Sequence, residues 1–91
     1  MSRPFSSADV FRAVADPTRR RILDLLRRRE MTAGELKESF RFSGATLSFH
    51  LRVLRQTGLA FARRRGTRLI YSVNRNSLRP IAAWIEAQRT A

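Results

Sequence analysis

The side chains of this sequence that could do chemistry are hydrogen-bond donors rather than acids, bases or nucleophiles. Residues 43–59 read Ser-Gly-Ala-Thr-Leu-Ser-Phe-His-Leu-Arg-Val-Leu-Arg-Gln-Thr-Gly-Leu. At about 100° per residue, Leu47, Leu51 and Leu54 fall on one stripe of a helix, and Ala45, Thr46, Ser48, Phe49 and Arg52 fall opposite. Small hydroxyl residues, one aromatic ring and an arginine make a poor second core face. They suit the floor of a DNA major groove, where base edges and the thymine methyl are read. A second group, Arg63, Arg64, Arg65 and Arg68, surrounds Gly66-Thr67 and offers planar guanidinium forks that match phosphate.

Other chemistry finds little support. His50 is the only histidine and there is no cysteine, so disulfides and thiolate metal sites are excluded. One histidine without clustered carboxylates makes a poor metal site. No Ser-His-Asp set, glycine-rich phosphate loop or close carboxylate pair is present, so the chain reads as a non-enzyme with no cofactor and no metal. His50 lies about 60° from Leu47 and flanks the apolar stripe. It is either a packed, hydrogen-bonded histidine or a phosphate contact. Arg52 points outward with Thr46 and Ser48 and is the first candidate for a base or phosphate contact, against a solvated surface arginine. Arg55 sits nearer the stripe edge, facing phosphate or solvent. Phe49, at the centre of the outward face, either touches a thymine methyl or is buried.

Composition agrees with a polyanionic partner. The 91 residues hold 19 basic and 7 acidic side chains, a net charge of +12, with Lys37 the only lysine. GC-rich coding also favours arginine over lysine, but it does not create an excess of positive charge. Nucleic acid is the commonest polyanion. An anionic membrane surface competes, although that calls for a basic amphipathic helix with a wide apolar face. No apolar run approaches the ~20 residues that span a bilayer. Phe5 is followed by Ser-Ser-Ala-Asp, which is no signal-peptide core. The expected address is the cytoplasm. The length suits one domain over residues 1–91, small enough that a monomer is marginal and oligomerisation a common remedy.

These groups need elements to hold them. Residues 1–5 read as a mobile arm. A first helix capped by Ser6 or Ser7 runs to about Ala15, with Val10, Phe11 and Val14 inward. Asp16-Pro17, an acceptor followed by a first-turn proline, starts a second helix to about Arg29. Its Ile22, Leu23 and Leu26 face inward, Arg19, Arg20, Arg27 and Arg28 outward. Thr32 and Glu35 form a capping box for a third helix through about Phe40. Arg41-Phe42-Ser43 is a tight turn, Ser43 caps the helix described above, and Gly58 ends it in a left-handed close that brings Leu59 to Leu54. Two short helices so joined, over about residues 32–57, make a helix-turn-helix. Strand-like runs at 59–65 and 68–74 around Gly66-Thr67 make a hairpin, or wing, over about 59–74. Its arginine tip is either a solvated loop or a contact to nucleic-acid backbone. A last helix begins near Asn76 or Ser77 with Pro80 in its first turn. The order is ααααββα: mainly α with a β-hairpin wing. Phe5, Val10, Phe11 and Val14 at one end and Leu78, Ile81, Trp84 and Ile85 at the other form terminal apolar stripes. These either meet a second subunit as a homodimer interface or pack against each other.

The motifs Ala15-Asp16-Pro17-Thr18-Arg19-Arg20-Arg21-Ile22-Leu23, Thr32-Ala33-Gly34-Glu35-Leu36, Thr46-Leu47-Ser48-Phe49-His50-Leu51-Arg52-Val53-Leu54, Gly58-Leu59 and Ile70-Tyr71-Ser72-Val73-Asn74 occur in that order. Together they resemble the ArsR/SmtB winged-helix transcriptional repressors over about residues 8–88, and most resemble the metal-independent autorepressor branch. The resemblance implies a homodimer on an inverted-repeat operator of double-stranded DNA, with the helix that Ser43 opens in the major groove and dimerisation through the first and last helices. Its DNA-facing positions are Ser43, Ala45, Thr46, Ser48, Phe49, His50, Arg52 and Arg55, with Arg63, Arg64, Arg65 and Arg68 on the wing. It implies a repressor of its own operon, relieved by an anti-repressor protein. The chain departs from the metal-sensing members. Met31–Lys37 lacks their Cys-x-Cys, the last helix has Glu86 but no histidine, and Phe49 stands where a polar residue or histidine is usual. The alternative function is an RNA-binding or protein-interaction winged helix, against which stands the scarcity of aromatic platforms beyond Phe49 and Tyr71.

Overall fold

A computed structural model describes residues 7–90 of the chain, the Ser7 side chain excepted. The described elements are α1 (Ser7–Ala15), α2 (Pro17–Arg28), β1 (Met31–Thr32), α3 (Ala33–Lys37), α4 (Gly44–Gln56), β2 (Ala60–Arg65), β3 (Arg68–Val73), a 3-10 turn (Arg75–Leu78) and α5 (Arg79–Arg89). The expected arm at 1–5, the Ser6 and Ser7 caps and Phe5 lie outside what is described.

The corner between α1 and α2 follows from Asp16-Pro17. The Asp16 carboxylate accepts from the Arg19 backbone N–H at 3.0 Å, which holds its pKa below the ordinary carboxylate range. Pro17 occupies the first turn, where its missing N–H is harmless. The guanidinium of Arg20 closes the other side of the corner, donating to Val14 O at 2.8 Å and Ala15 O at 3.0 Å. These are carbonyls that the end of α1 leaves without helical partners.

The capping box is present as expected. The Glu35 N–H donates to Thr32 Oγ1 at 3.1 Å, and the Thr32 N–H donates to Glu35 Oε1 at 2.9 Å. The helix it opens is shorter than expected and ends at Lys37, not Phe40. Beyond it the chain tightens, with Ser39 N donating to Leu36 O and Phe40 N to Lys37 O. Phe40 remains buried through this turn and stacks on Phe42 at 4.7 Å between ring centroids.

β1 was not anticipated. Met31 pairs with Tyr71 and Thr32 with Ile70, so the wing is a three-stranded antiparallel sheet in the order β1-β3-β2. The hairpin register runs from Ala60 opposite Val73 to Arg65 opposite Arg68, turned by Gly66 at φ +64°.

Helix α4 has the start and stop expected of it. Ser43 Oγ accepts from Thr46 N at 3.2 Å. At the far end Gly58 takes φ +78°, Leu59 N donates to Leu54 O at 2.9 Å, and Gly58 N donates to Arg55 O at 3.1 Å. Asn74 staples the base of the wing to this close: its Nδ2 donates to Gly58 O at 2.8 Å and its backbone N to Leu59 O at 2.9 Å.

The start of α5 corrects two expectations. Neither Asn76 nor Ser77 caps it; the 3-10 turn intervenes and the cap position falls on Leu78, which has no side-chain acceptor. The Ser77 hydroxyl is spent on Asn74 O. Pro80 does fall in the first turn.

One core gathers Ile22, Leu23 and Leu26 of α2, Leu36, Phe40, Leu47, Leu51 and Leu54, with Met31, Leu59, Ala60 and Tyr71 from the sheet side. Val10 and Ala13 of α1 complete it. Val10, expected at the subunit interface, is only 4% exposed. It shares the inward face of α1 with Ala13, three residues on, and is filled by its own protomer.

Candidate nucleic-acid interface

Helix α4 buries Leu47, Leu51 and Leu54 and exposes Ala45, Thr46, Ser48, Phe49, Arg52, Arg55 and Gln56. The stripe against the core thus leaves a face about half the helix wide open to solvent. Ser43 is exposed at its start, its Oγ 3.1 Å from Thr46 Oγ1. Phe49 is 55% exposed, which removes the reading in which it is buried. Its ring stands edge-on to His50 at 5.4 Å. It also forms one wall of a cleft of about 370 Å³ between α1 and α4, with Arg12, Ala13, Val53 and Gln56 on the other sides.

His50 is half-buried and hydrogen-bonded on one side of its ring, which meets the packed reading without removing the phosphate one. Its Nδ1 lies 3.3 Å from Arg19 Nη1, and the Phe42 ring centroid is 6.1 Å from its own. Of the arginines read as lying on the exposed side of α2, Arg19 is half-buried and Arg20 is exposed, and both reach back to α1. Arg19 Nε donates to Ala13 O at 2.8 Å and Nη2 to Arg12 O at 3.4 Å. The available signal was their place just after Asp16-Pro17, within one side-chain length of the open carbonyls that must end α1.

On the wing, strand alternation sorts the arginines. Ala60 is buried and Ala62 half-buried, which puts Arg64 on their side of β2 and Phe61, Arg63 and Arg65 on the other. Arg63 is tied down: its Nη2 and Nε donate to Glu30 Oε2 at 2.8 and 3.2 Å. Arg64, Arg65 and Arg68 are exposed and make no ion pair among the described residues, which also holds for Arg52 and Arg55. Of the four arginines expected around the turn, three therefore make no ion pair among the described residues and one is held by a carboxylate. Glu30, next to β1, was the residue to notice. A smaller polar cluster lies at the start of α3, where the Thr32 backbone N–H and the Arg29 guanidinium, 2.9 Å away, hold the Glu35 carboxyl down at about 2.

The terminal helices meet through Phe11 and Trp84, edge to face at 5.9 Å. Their outer side remains open: Trp84 is 56% and Ile85 46% exposed, with Val14, Leu78 and Ile81 half-buried beneath. Among the described residues no three His, Cys, Asp or Glu side chains come together, and no helix is long and apolar enough to cross a membrane.

Known proteins resemble this arrangement in sequence and in fold. A family described as a helix-turn-helix domain matches residues 14–60. The transcriptional repressor SdpR of Bacillus subtilis is 42% identical over 77 residues, 85% of this chain and 86% of that protein. A crystal structure of an ArsR family transcriptional regulator superposes with a TM-score of 0.83 at 27% identity, over 90% of each chain. The homodimeric winged helix-turn-helix DNA-binding domain of a Mycobacterium bovis protein superposes with a TM-score of 0.74 at 30% identity, over 91% of this chain and 79% of that one.

Proposed function

The chain belongs to the ArsR family of winged helix-turn-helix, DNA-binding transcriptional repressors, and we propose that it acts as a homodimer on an inverted-repeat operator upstream of its own gene. The observation that carries the reading is the solvent-facing side of α4, polar around one exposed phenylalanine, in a chain whose wing carries free arginines. In this reading α4 enters the major groove. Thr46, Ser48, Phe49 and Arg52 lie against base edges, while Ser43, Ala45, His50 and Arg55 line the groove walls. Arg64, Arg65 and Arg68 hold the phosphate backbone and set register without reading sequence. Arg63 has a lesser part, because an ion pair with Glu30 must first be broken.

The dimer is assigned to α1 and α5, through Phe11, Val14, Leu78, Ile81, Trp84 and Ile85. The support is a large apolar patch left outward after the two helices have packed on each other. The chain works as one unit in the cytoplasm, without catalysis. With no cysteine in the sequence, release by an anti-repressor protein fits better than release by a thiolate-bound metal.

The test is fluorescence anisotropy with duplex from upstream of the gene and with shuffled duplex of equal length, at two salt concentrations. The expected result is a preference for the upstream duplex that persists as salt weakens both. Equal binding to both duplexes sinks sequence-specific repression.

A further inference from the structure

His50 and Arg19 are separated by 31 positions in sequence and by one hydrogen bond in space. An arginine side chain has donors only and stays charged, so its Nη1 can meet Nδ1 only if that ring nitrogen carries no proton. In a neutral imidazole, an accepting Nδ1 leaves the ring hydrogen on Nε2. Among the described residues nothing bonds Nε2, and no buried side-chain nitrogen or oxygen lacks a partner, so Nε2 reaches solvent. His50 follows Thr46 by one turn along the same flank of α4.

The guanidinium that sets this ring is itself fixed from two sides. Its Nε and Nη2 hold the last carbonyls of α1, from Ala13 and Arg12. The Arg19 backbone N–H is anchored on the Asp16 cap. Phe42 and Phe49 bracket the imidazole, at 6.1 and 5.4 Å between centroids. Neither ring supplies a competing acceptor or donor.

We propose that Arg19 is a positioning residue for DNA binding: it holds His50 in the Nε2–H tautomer, so that this hydrogen is offered to a DNA phosphate oxygen, and it pins the terminal helix α1 to α4 through a single guanidinium. The phosphate half of this rests on the reading of α4 as the DNA-facing helix; the tautomer half does not.

His50 is the only histidine in the chain, so its ring nitrogens need no assignment strategy. A long-range 1H–15N correlation spectrum of the DNA-free protein is recorded at about pH 8.5, two units above the ordinary imidazole value of about 6.5. The expected pattern has a protonated Nε2 and a bare Nδ1, and Arg19→Met turns it into a tautomer mixture. A protonated Nδ1 in the wild type, or an unchanged pattern in Arg19→Met, overturns the hold of Arg19 on the ring.

Two isosteres divide the ring's roles. His50→Asn keeps an acceptor near the place of Nδ1 and loses the outer donor; His50→Gln keeps a donor near the place of Nε2 and loses the inner acceptor. His50→Asn should weaken operator binding about tenfold, the worth of one hydrogen bond to a charged group, and His50→Gln by much less. A role confined to packing predicts equal losses, and equal losses overturn the phosphate contact. Thermal melts of both variants show that they fold. If the wild type itself has no operator preference, the proposed function fails and the phosphate contact with it, while the spectrum still decides the role of Arg19.

Discussion

At the scale of single residues, the proposed interface divides into groups that would read sequence and groups that would hold phosphate. Arg52→Ala should lower discrimination between the operator and shuffled duplex by about 1–3 kcal/mol, the range for one base-edge contact. Arg64→Ala should weaken every duplex alike and reduce the slope of log K against log salt by about one. Competition anisotropy across a salt series separates them, and identical behaviour would mean that the division is wrong. Glu30 makes a third case. Removing it by Glu30→Ala frees the Arg63 guanidinium now bonded to it, so non-specific binding should tighten and its salt slope steepen. The Glu35 carboxyl is a fourth. Its pKa is depressed from 4.5 to about 2 by the Thr32 N–H and by Arg29, so its stabilisation is full above about 4.5 and is lost as pH falls toward 2. Glu35→Gln keeps an acceptor for Thr32 and removes the titration. Urea melts between those pH values should then show a shallower dependence than the wild type, with the remainder owed in part to Asp16, which is shifted in the same direction. An unchanged slope would show that Glu35 is not a source of it.

At the scale of elements, the punctuation of α4 carries much of its definition. Ser43→Ala should cost about 1 kcal/mol, typical for a lost N-cap. Gly58→Ala forces a side chain into φ +78° and should cost roughly 1–2 kcal/mol. Both are read by chemical denaturation. That these two residues bound the helix was legible because each acts on its own backbone within a few positions. The same local logic exposed the Asp16-Pro17 start of α2 and the Thr32–Glu35 box. Elsewhere the local signal misled. Phe40 is buried, as its place in the pattern suggests, but a turn buries it as well as a helix does. Ser77 has the chemistry of a cap, yet its hydroxyl goes to the Asn74 carbonyl. β1, two residues long, has no periodicity to detect and exists only because Tyr71 and Ile70 lie opposite. The arginines were the least legible part. A guanidinium reaches far enough to leave its own helix, and whether Arg19, Arg20 and Arg63 met protein or solvent depended on carbonyls and a carboxylate that only the fold brings near.

At the scale of the whole molecule, two opposed electrostatic demands meet. Each copy carries +12, so the proposed pairing of two of them through α1 and α5 would bring like charges together, while DNA binding would neutralise them. Added salt should therefore strengthen dimerisation and weaken operator binding, trends of opposite sign in one buffer series. Sedimentation velocity reads the first and anisotropy the second. Trp84→Glu places a carboxylate in the open apolar patch and should sediment as a folded monomer. If it stays a dimer, the interface lies elsewhere.

The short strand β1 also decides where this chain can change length. Because Met31 and Thr32 pair with the same β3 that forms the hairpin, the base of the wing is committed on both edges, and a one-residue insertion within β3, between Arg68 and Tyr71, would turn Tyr71 out of the core. At Gly66-Thr67 nothing beyond the turn depends on register. Two added residues there lengthen the hairpin by one closing pair and leave the rest untouched. Divergence among descendants of this sequence, or a graft that extends its reach along DNA, has one inexpensive place to occur, and it is the tip.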